Sequence, residues 1–342
     1  MRSRTSLAEP DSWPYVSTGH LPAPRQVQEL VFEAYERFKS NAEGETSQVY
    51  PALAAVPSEL FGVCVAGTNG SIYAAGDSDY EFTIMSVSKP FLFALICESI
   101  GPQEARRRLG VNATGLAFDS LSALERAPDG RTNPMVNAGA IATTSLVPGA
   151  TALEKWRFIH EGLSRFAGKP LTLNESVYES ARRTNFRNRS LAWLLQTFGR
   201  LYSDPQEAID LYTRQCSLQV RARDLAVMAA TLADGGVNPL TRTRVVDVSI
   251  SHYTLAVMTT SGLYETSGDW LYDIGLPGKS GIGGGIVAVA PGKGGFGTFA
   301  PRLDGAGNSV KGQLAAQFLS RRLGMDLFIS SADGGGTQEA SH

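Results

Sequence analysis

A serine and a lysine three positions apart, Ser86 and Lys89, form the pattern in this sequence with the most chemical potential. On a helix, residues at this spacing share a face, which brings the amine within hydrogen-bond reach of the hydroxyl. The lysine leads into an apolar run at 91–97, and a helix that is apolar all round is usually buried. Burial lowers the pKa of a lysine, and a neutral amine can activate serine as a nucleophile. The alternative is a helix-capping serine followed by a lysine that reaches solvent.

A second motif, Lys279-Ser280-Gly281, lies shortly before a predicted strand at 284–290. Enzymes built on Ser-x-x-Lys carry a Lys-Ser/Thr-Gly box on a strand beside the nucleophile. The glycine lets substrate approach the strand closely, and a strand amide can stabilise an oxyanion. A phosphate-binding loop is disfavoured, because the glycine that it requires five positions before Gly278 is Asp273, and strand-like residues follow.

Asparagines supply the third candidate, in the segment NPMVNAGA at 133–140. Asparagine beside proline and glycine is common in turns. The same amides can hold a polar substrate through hydrogen bonds. The residues alone leave both interpretations open.

Composition excludes several classes of protein. The 342 residues carry a formal net charge of −2, so the chain lacks the charge pattern of a nucleic-acid or anionic-membrane protein. No run of 18 apolar residues is present, and the first 24 residues lack the apolar core of a signal peptide. Four scattered histidines give no zinc spacing. An odd number of cysteines in apolar surroundings predicts buried thiols and a cytoplasmic location; they are Cys64, Cys97 and Cys216.

The elements that must position these motifs follow from periodicity and turn residues. Strands are predicted at 61–66 and 71–75, joined by an Asn-Gly hairpin, and again at 284–290 and 294–299. Helices are predicted at 25–39, from Ser86 onward, at 151–166, 188–199, 205–214 and 221–233, and at 308–324 with Asn308 as cap.

This order predicts an α+β fold in which early and late strands pair in one sheet. We expect a flexible N-terminal arm at 1–24, a catalytic domain at 25–330 and a disordered tail at 331–342. Within the domain, a sheet lobe comprises about 25–85 and 240–330, and a mainly helical lobe comprises about 100–235. A site between the two lobes would hold Ser86.

Eight motifs occur in the order and spacing of the serine-dependent glutaminases, which this chain resembles over roughly 27–325. The resemblance implies a β-lactamase/transpeptidase-like fold, with an antiparallel sheet flanked by helices. The motifs are SVSK at 86–89, NPMVNAGA at 133–140, RN at 187–188, LYTRQCS at 211–217, DLAVMAATLADGG at 224–236, SGLY at 261–264, GLPGKSGIGGGI at 275–286 and GNSVKG at 307–312.

The resemblance also implies roles for individual residues. Ser86 resembles the family's nucleophile, Lys89 its base, and Tyr264 the tyrosine that passes a proton to the leaving ammonia. Residues that resemble substrate-binding groups are Asn137, Asn188, Tyr212, Ile282 through its backbone amide, and Tyr50. The implied reaction is hydrolysis of L-glutamine to L-glutamate and ammonia through an acyl-enzyme. It needs no metal or organic cofactor, and the family suggests a homo-oligomer, either a dimer or a tetramer.

Three positions depart from the family pattern. Ala181 replaces a glutamate that meets the substrate ammonium, and nearby Glu179 would compensate only if the backbone shifted. Met85 replaces a glutamine, and Tyr50 is displaced by one residue, which on an extended segment turns a side chain to the other face. We therefore expect intact acyl-transfer chemistry with relaxed or changed selectivity. The alternatives are a related serine amidase or esterase, including one acting on β-lactams, and a catalytically weak binding protein.

Overall fold

The computed structural model describes residues 19–127 and 129–329. Most of the predicted N-terminal arm (1–18) and the predicted tail at 331–342 lie outside the described residues. The described part of the chain folds into helices, short 3₁₀ turns and antiparallel strands. None of these helices has both the length and the apolar composition needed to cross a bilayer.

The helices in the described residues number fourteen. They are α1 (Pro24–Phe38), α2 (Pro51–Ala54), α3 (Ser88–Ile100), α4 (Pro102–Arg108), α5 (Ser122–Arg126), α6 (Asn137–Thr144), α7 (Ala152–Ala167), α8 (Glu175–Thr184), α9 (Phe186–Thr197), α10 (Pro205–Cys216), α11 (Ala222–Ala233), α12 (Val248–Ser261), α13 (Ser267–Ile274) and α14 (Val310–Arg322). Two 3₁₀ helices span Met85–Val87 and Tyr264–Thr266.

The same described residues contain ten strands. They are β1 (Glu45–Thr46), β2 (Gly62–Gly67), β3 (Ile72–Gly76), β4 (Phe82–Thr83), β5 (Thr172–Leu173), β6 (Leu218–Val220), β7 (Gly278–Ser280), β8 (Gly285–Ala290), β9 (Gly294–Phe299) and β10 (Arg302–Leu303).

The main sheet joins the two ends of the chain. Its five strands run in the order β3-β2-β9-β8-β7, and every neighbouring pair is antiparallel. The β2–β9 pairing places Cys64 opposite Gly297. The predicted pairing of early and late strands is therefore confirmed, as is the hairpin between β2 and β3. The α+β prediction is confirmed with it.

Helices cover both faces of this sheet. Apolar residues of α1, α13 and α14 pack on one face with side chains of β2, β8 and β9. On the other face, α11 packs closely against β9. A β-carbon on Gly297 would lie 2.3 Å from the Ala222 carbonyl oxygen, so glycine is needed for this approach. Residues of the predicted helical lobe thus pack directly on the main sheet.

Helix α3 lies at the centre of the larger apolar core, which explains its composition. Ten of its thirteen residues are buried, so only its last turn at 98–100, which carries Glu98 and Ser99, reaches solvent. Pro90 lies in its first turn, where a missing amide hydrogen is tolerated. Lys89 is carried into the interior by this packing.

The structure corrects one predicted detail and adds elements that were missed. The cap of α14 is Ser309, whose hydroxyl accepts a hydrogen bond from the Gly312 amide, and not Asn308. The side chain of Asn308 instead accepts a 2.5 Å hydrogen bond from Ser280 Oγ. Helices α12 and α13, which lead into the box at 279–281, had no predicted counterpart.

Candidate active site

A cavity of about 160 Å³ lies where the 3₁₀ helix before α3 meets α6, α8, α9, α10 and the turn after β7. Ser86 opens into it. The lining comprises Val49, Tyr50, Met85, Ser86, Phe118, Asp119, Asn137, Ala181, Thr184, Asn185, Arg187, Asn188, Tyr212, Thr213, Cys216, Ser217 and Ile282. Six of the eight predicted site residues are therefore brought to one cavity, and Lys89 and Tyr264 lie behind it.

Two backbone positions of the site are strained. Met85 has φ 46° and Tyr264 has φ 55°, in the left-handed region that non-glycine residues seldom adopt. Such conformations cost free energy and persist only where the surrounding structure imposes them. The strain at Met85 directs the next residue, Ser86, toward the cavity at the start of α3.

Lys89 is buried beneath Ser86 and is held by neutral partners. Its Nζ donates to Asn137 Oδ1 at 2.7 Å and to the Met135 carbonyl oxygen at 3.3 Å. Burial lowers the pKa of the amine to about 7, and the nearby Cys216 and Asp119 oppose the shift. Within the described residues the amine is thus bonded to Asn137 rather than to Ser86. It is nevertheless able to accept a proton near neutral pH.

Tyr264 links the serine to the Lys279 box. Its hydroxyl donates to the Ser280 carbonyl oxygen at 3.4 Å, and Lys279 Nζ lies 4.4 Å from the centre of its ring. Burial raises the pKa of the phenol, while hydrogen bonding with Ser86 and Ser280 acts in the opposite direction. The phenol is therefore a protonated group in contact with the serine.

Lys279 is enclosed completely and fixes the end of β7. Its Nζ donates to the Gly262 and Ser280 carbonyl oxygens at 2.8 and 2.7 Å. Burial lowers the pKa of this amine well below its usual value, and the charge of Lys89 lowers it further. Both buried amines are thus biased toward the neutral form.

Backbone amides point to an oxyanion site beside Ser86. A β-carbon at Gly281 would lie 3.2 Å from the Ser86 nitrogen, so the turn after β7 passes close to the 3₁₀ helix. Ile282 follows and lines the cavity. Among the described residues, the amides of Ser86 and Ile282 donate to no protein group. Two such donors could hold an oxygen that gains negative charge.

The predicted substrate-binding amides form one hydrogen-bonded cluster. Asn137 Nδ2 donates to Asn188 Oδ1 at 3.0 Å, and Tyr212 Oη donates to Asn137 Oδ1 at 3.5 Å. Asn137 is the first residue of α6, while Asn188 and Tyr212 come from α9 and α10. The cluster therefore connects Lys89 to the far side of the cavity.

The positions that depart from the family pattern also face this cavity. Met85, Ala181 and the displaced Tyr50 all line it, with Val49 beside Tyr50. Glu179 does not, since its carboxylate pairs with Arg182 and Arg183 on the surface of α8. The backbone shift that would let Glu179 replace the missing glutamate is absent here.

Sequence reasoning missed several lining residues. Cys216 lies one helical turn after Tyr212, and burial raises the pKa of its thiol to about 11. Its signal was available, because it falls within the LYTRQCS motif. Asp119 and Arg187 form an ion pair at the cavity, with Arg187 Nε 2.8 Å from Asp119 Oδ2. Arg187 falls within the RN motif at 187–188, whereas Asp119, 68 residues earlier, lies in none of the motifs, so no local pattern paired the two.

Comparison with known proteins places these observations in one family. The family model described as glutaminase matches residues 44–328. "Glutaminase 2" from Yersinia pestis is 72% identical over 316 residues, which cover 92% of this chain and 93% of that protein. A glutaminase from Mycobacterium ulcerans is 48% identical over 89% of this chain and 95% of its own length.

Solved structures agree with the sequence matches. The probable glutaminase ybaS superposes with a TM-score of 0.89 at 45% identity, over 90% of this chain and all of that one. Mglu in its L-glutamate binding form superposes with a TM-score of 0.84 at 38% identity, over 89% of this chain and 68% of that one.

Proposed function

This chain belongs to the glutaminase family and hydrolyses L-glutamine to L-glutamate and ammonia, and we propose that it does so through a covalent acyl-enzyme on Ser86. Its fold is of the β-lactamase-like type. The observation that carries the mechanism is the buried Lys89 amine, with a pKa of about 7, beneath a serine that lines the cavity.

The first step is attack of Ser86 Oγ on the side-chain carbonyl carbon of glutamine. Lys89 accepts the hydroxyl proton, for which its lowered pKa suits it. The carbonyl oxygen becomes an oxyanion, and the unpaired amides of Ser86 and Ile282 stabilise it.

Collapse of the intermediate breaks the carbon–nitrogen bond and releases ammonia. Tyr264 is in contact with Ser86 and retains its proton, so it delivers a proton to the departing nitrogen. Lys89, which holds the proton taken from Ser86, can then return a proton to the Tyr264 hydroxyl. Water then attacks the acyl-enzyme, releasing L-glutamate and free Ser86.

The remaining lining residues bind the amino-acid end of the substrate. Asn137, Asn188, Tyr212 and Tyr50 line the cavity together with Ser86. In support, the related Mglu has been solved in an L-glutamate binding form.

An ammonia-release assay across a small amide panel tests this function. The panel contains L-glutamine, L-asparagine, a chromogenic ester and a chromogenic β-lactam, with Ser86→Ala as the blank. We expect Ser86-dependent turnover that is highest with L-glutamine. Equal turnover by Ser86→Ala would exclude the acyl-enzyme mechanism.

The family and the surface of α9 support a homo-oligomer, a dimer or tetramer. Phe186 and Trp193 are seven residues apart on α9 and are 65% and 55% exposed, and Phe198 follows at 40%. Apolar side chains grouped in this way are typical of subunit contacts.

Three further features complete the proposal. All three cysteines are free thiols, which fits a cytoplasmic location. The negative net charge gives no support for nucleic-acid binding. The cavity lies between the sheet lobe at about 25–85 and 240–330 and the helical lobe at about 100–235.

A further inference from the structure

We propose that Asp119 and Arg187 form a paired-charge clamp that recognises the α-ammonium and α-carboxylate groups of the substrate. This inference rests on the proposed function, because it assigns the amino-acid end of a substrate whose amide end lies at Ser86. It assigns the ammonium to Asp119 and the carboxylate to Arg187.

The first argument is the distribution of charge around the cavity. Of its lining residues, only Asp119 and Arg187 carry a full charge. A free amino acid brings one positive and one negative group into this space. The only lining anion and the only lining cation match those two groups in number and sign.

The second argument is the bonding capacity that the pair leaves unused. Arg187 meets Asp119 through Nε alone, which lies 2.8 Å from Oδ2 and donates to the Asp119 carbonyl oxygen at 2.8 Å. In the described residues, both Nη groups of Arg187 and Oδ1 of Asp119 have no hydrogen-bond partner. A guanidinium with two free amino groups binds a carboxylate well, and a free carboxylate oxygen accepts from an ammonium.

The third argument is the position of the pair relative to the chemistry. Asp119 and Arg187 line the same cavity as Ser86, so both can meet a substrate whose amide end lies at the serine. Arg187 immediately precedes Asn188 at the start of α9, and Phe118 precedes Asp119; both neighbours line the cavity too. The pair thus adds a carboxylate to a cavity in which Ala181 supplies none.

The ion pair is also suited to a substrate that carries both charges. Side-chain exposures of 56% for Arg187 and 31% for Asp119 keep the charges hydrated when the cavity is empty. When a zwitterion binds, its ammonium meets the Asp119 carboxylate and its carboxylate meets the Arg187 guanidinium, so each charge lies next to charges of the opposite sign. A ligand that lacks one of its charges leaves one member of the pair without a new partner.

The test measures binding by titration calorimetry in the non-hydrolysing Ser86→Ala protein. The ligands are L-glutamine, 4-carbamoylbutanoate, which lacks the α-amine, and L-glutamine α-amide, which lacks the α-carboxylate. Asp119→Asn should weaken L-glutamine and the α-amide by about tenfold and leave 4-carbamoylbutanoate unchanged. Arg187→Gln should weaken L-glutamine and 4-carbamoylbutanoate similarly and leave the α-amide unchanged.

The crossed pattern distinguishes recognition from a structural role, because a distorted cavity would weaken all three ligands together. Glu179→Gln, which disrupts a comparable ion pair on α8 outside the cavity, is the matched control and should change nothing. The clamp would be overturned if either substitution weakened binding of all three ligands equally or weakened none of them. It would also be overturned if the Ser86→Ala protein, before further substitution, bound all three ligands with equal affinity. Hydrolysis retained by Ser86→Ala would instead overturn the proposed function.

Discussion

At the scale of single residues, the most distinctive feature of the site is a pair of buried lysines whose amine pKa values are lowered. Lys89 and Lys279 contact only uncharged hydrogen-bond partners in the described structure, and burial lowers the pKa of both amines. A buried amine favours its neutral form because the charged form loses hydration. In the proposed mechanism, the same burial that costs stability allows Lys89 to act as a base near neutral pH.

The pKa of Lys89 predicts the pH dependence of the reaction. Lys89 must be neutral to accept the Ser86 proton, so kcat/KM should rise with pH and level off above a pKa of about 7. This rise in kcat/KM is measured from ammonia release from L-glutamine over a series of pH values. The residual activity of Lys89→Ala should show no such rise. A wild-type profile that is flat between pH 6 and 9 would contradict the role of Lys89 as the base.

Tyr264 should contribute to kcat rather than to substrate binding. Tyr264→Phe keeps the ring beside Lys279 and removes the hydroxyl, so kcat should fall by roughly 10²–10⁴-fold with little change in KM. Tyr73→Phe, at a buried tyrosine of the sheet, is the control. A rise in KM at constant kcat would show that Tyr264 binds substrate and does not transfer the proton.

The candidate reacting residues had a local signal in the sequence, whereas the proposed recognition pair did not. Spacing of three residues and a following apolar run pointed to Ser86 and Lys89 but left a capping serine possible, and the family motifs decided between the two interpretations. Asp119 and Arg187 are 68 residues apart and meet only in the folded chain. Short patterns cannot reveal such a pair.

At the scale of elements, close packing between α11 and β9 supports the sheet on which β7 and its box depend. Gly295 and Gly297 face the backbone of α11. The runs of alanine and glycine in the two segments are a visible signal of this contact. The pattern alone did not show which helix would cover which face of the sheet.

Adding one methyl group at this contact should destabilise the protein. In Gly297→Ala the β-carbon would lie 2.3 Å from the Ala222 oxygen and 2.4 Å from the Ala226 nitrogen. Relieving this overlap requires movement of the backbone, so unfolding should become easier by about 1–3 kcal/mol. Urea denaturation measures the change. Gly305→Ala, with no atom within 4 Å of the added carbon, should have a much smaller effect.

The predicted cap of α14 was wrong for a physical reason. The cap of α14 was assigned to Asn308 because asparagine favours that position. The Asn308 side chain instead accepts a hydrogen bond from Ser280 Oγ, and the next residue, Ser309, caps the helix. A tertiary hydrogen bond therefore displaced a local preference.

At the scale of the whole molecule, the exposed side chains of α9 predict self-association. Trp193→Glu should reduce the molecular mass measured by light scattering, because it places a charge among Phe186 and Phe198. Tyr272→Glu alters a side chain that is 92% exposed on α13 and should leave the mass unchanged. A wild-type protein that remains monomeric at high concentration would contradict the proposed oligomer.

The acyl-enzyme on Ser86 is the central claim, and labelling with diazo-oxo-norleucine tests it most directly. This glutamine-like electrophile loses nitrogen as it alkylates the nucleophile that it meets in the cavity. Peptide mapping by mass spectrometry should find one adduct, on Ser86, and none in Ser86→Ala. Cys216 lines the same cavity, with a thiol pKa raised to about 11 that keeps it protonated at neutral pH. An adduct on Cys216 in the wild-type protein, with Ser86 unmodified, would contradict the account.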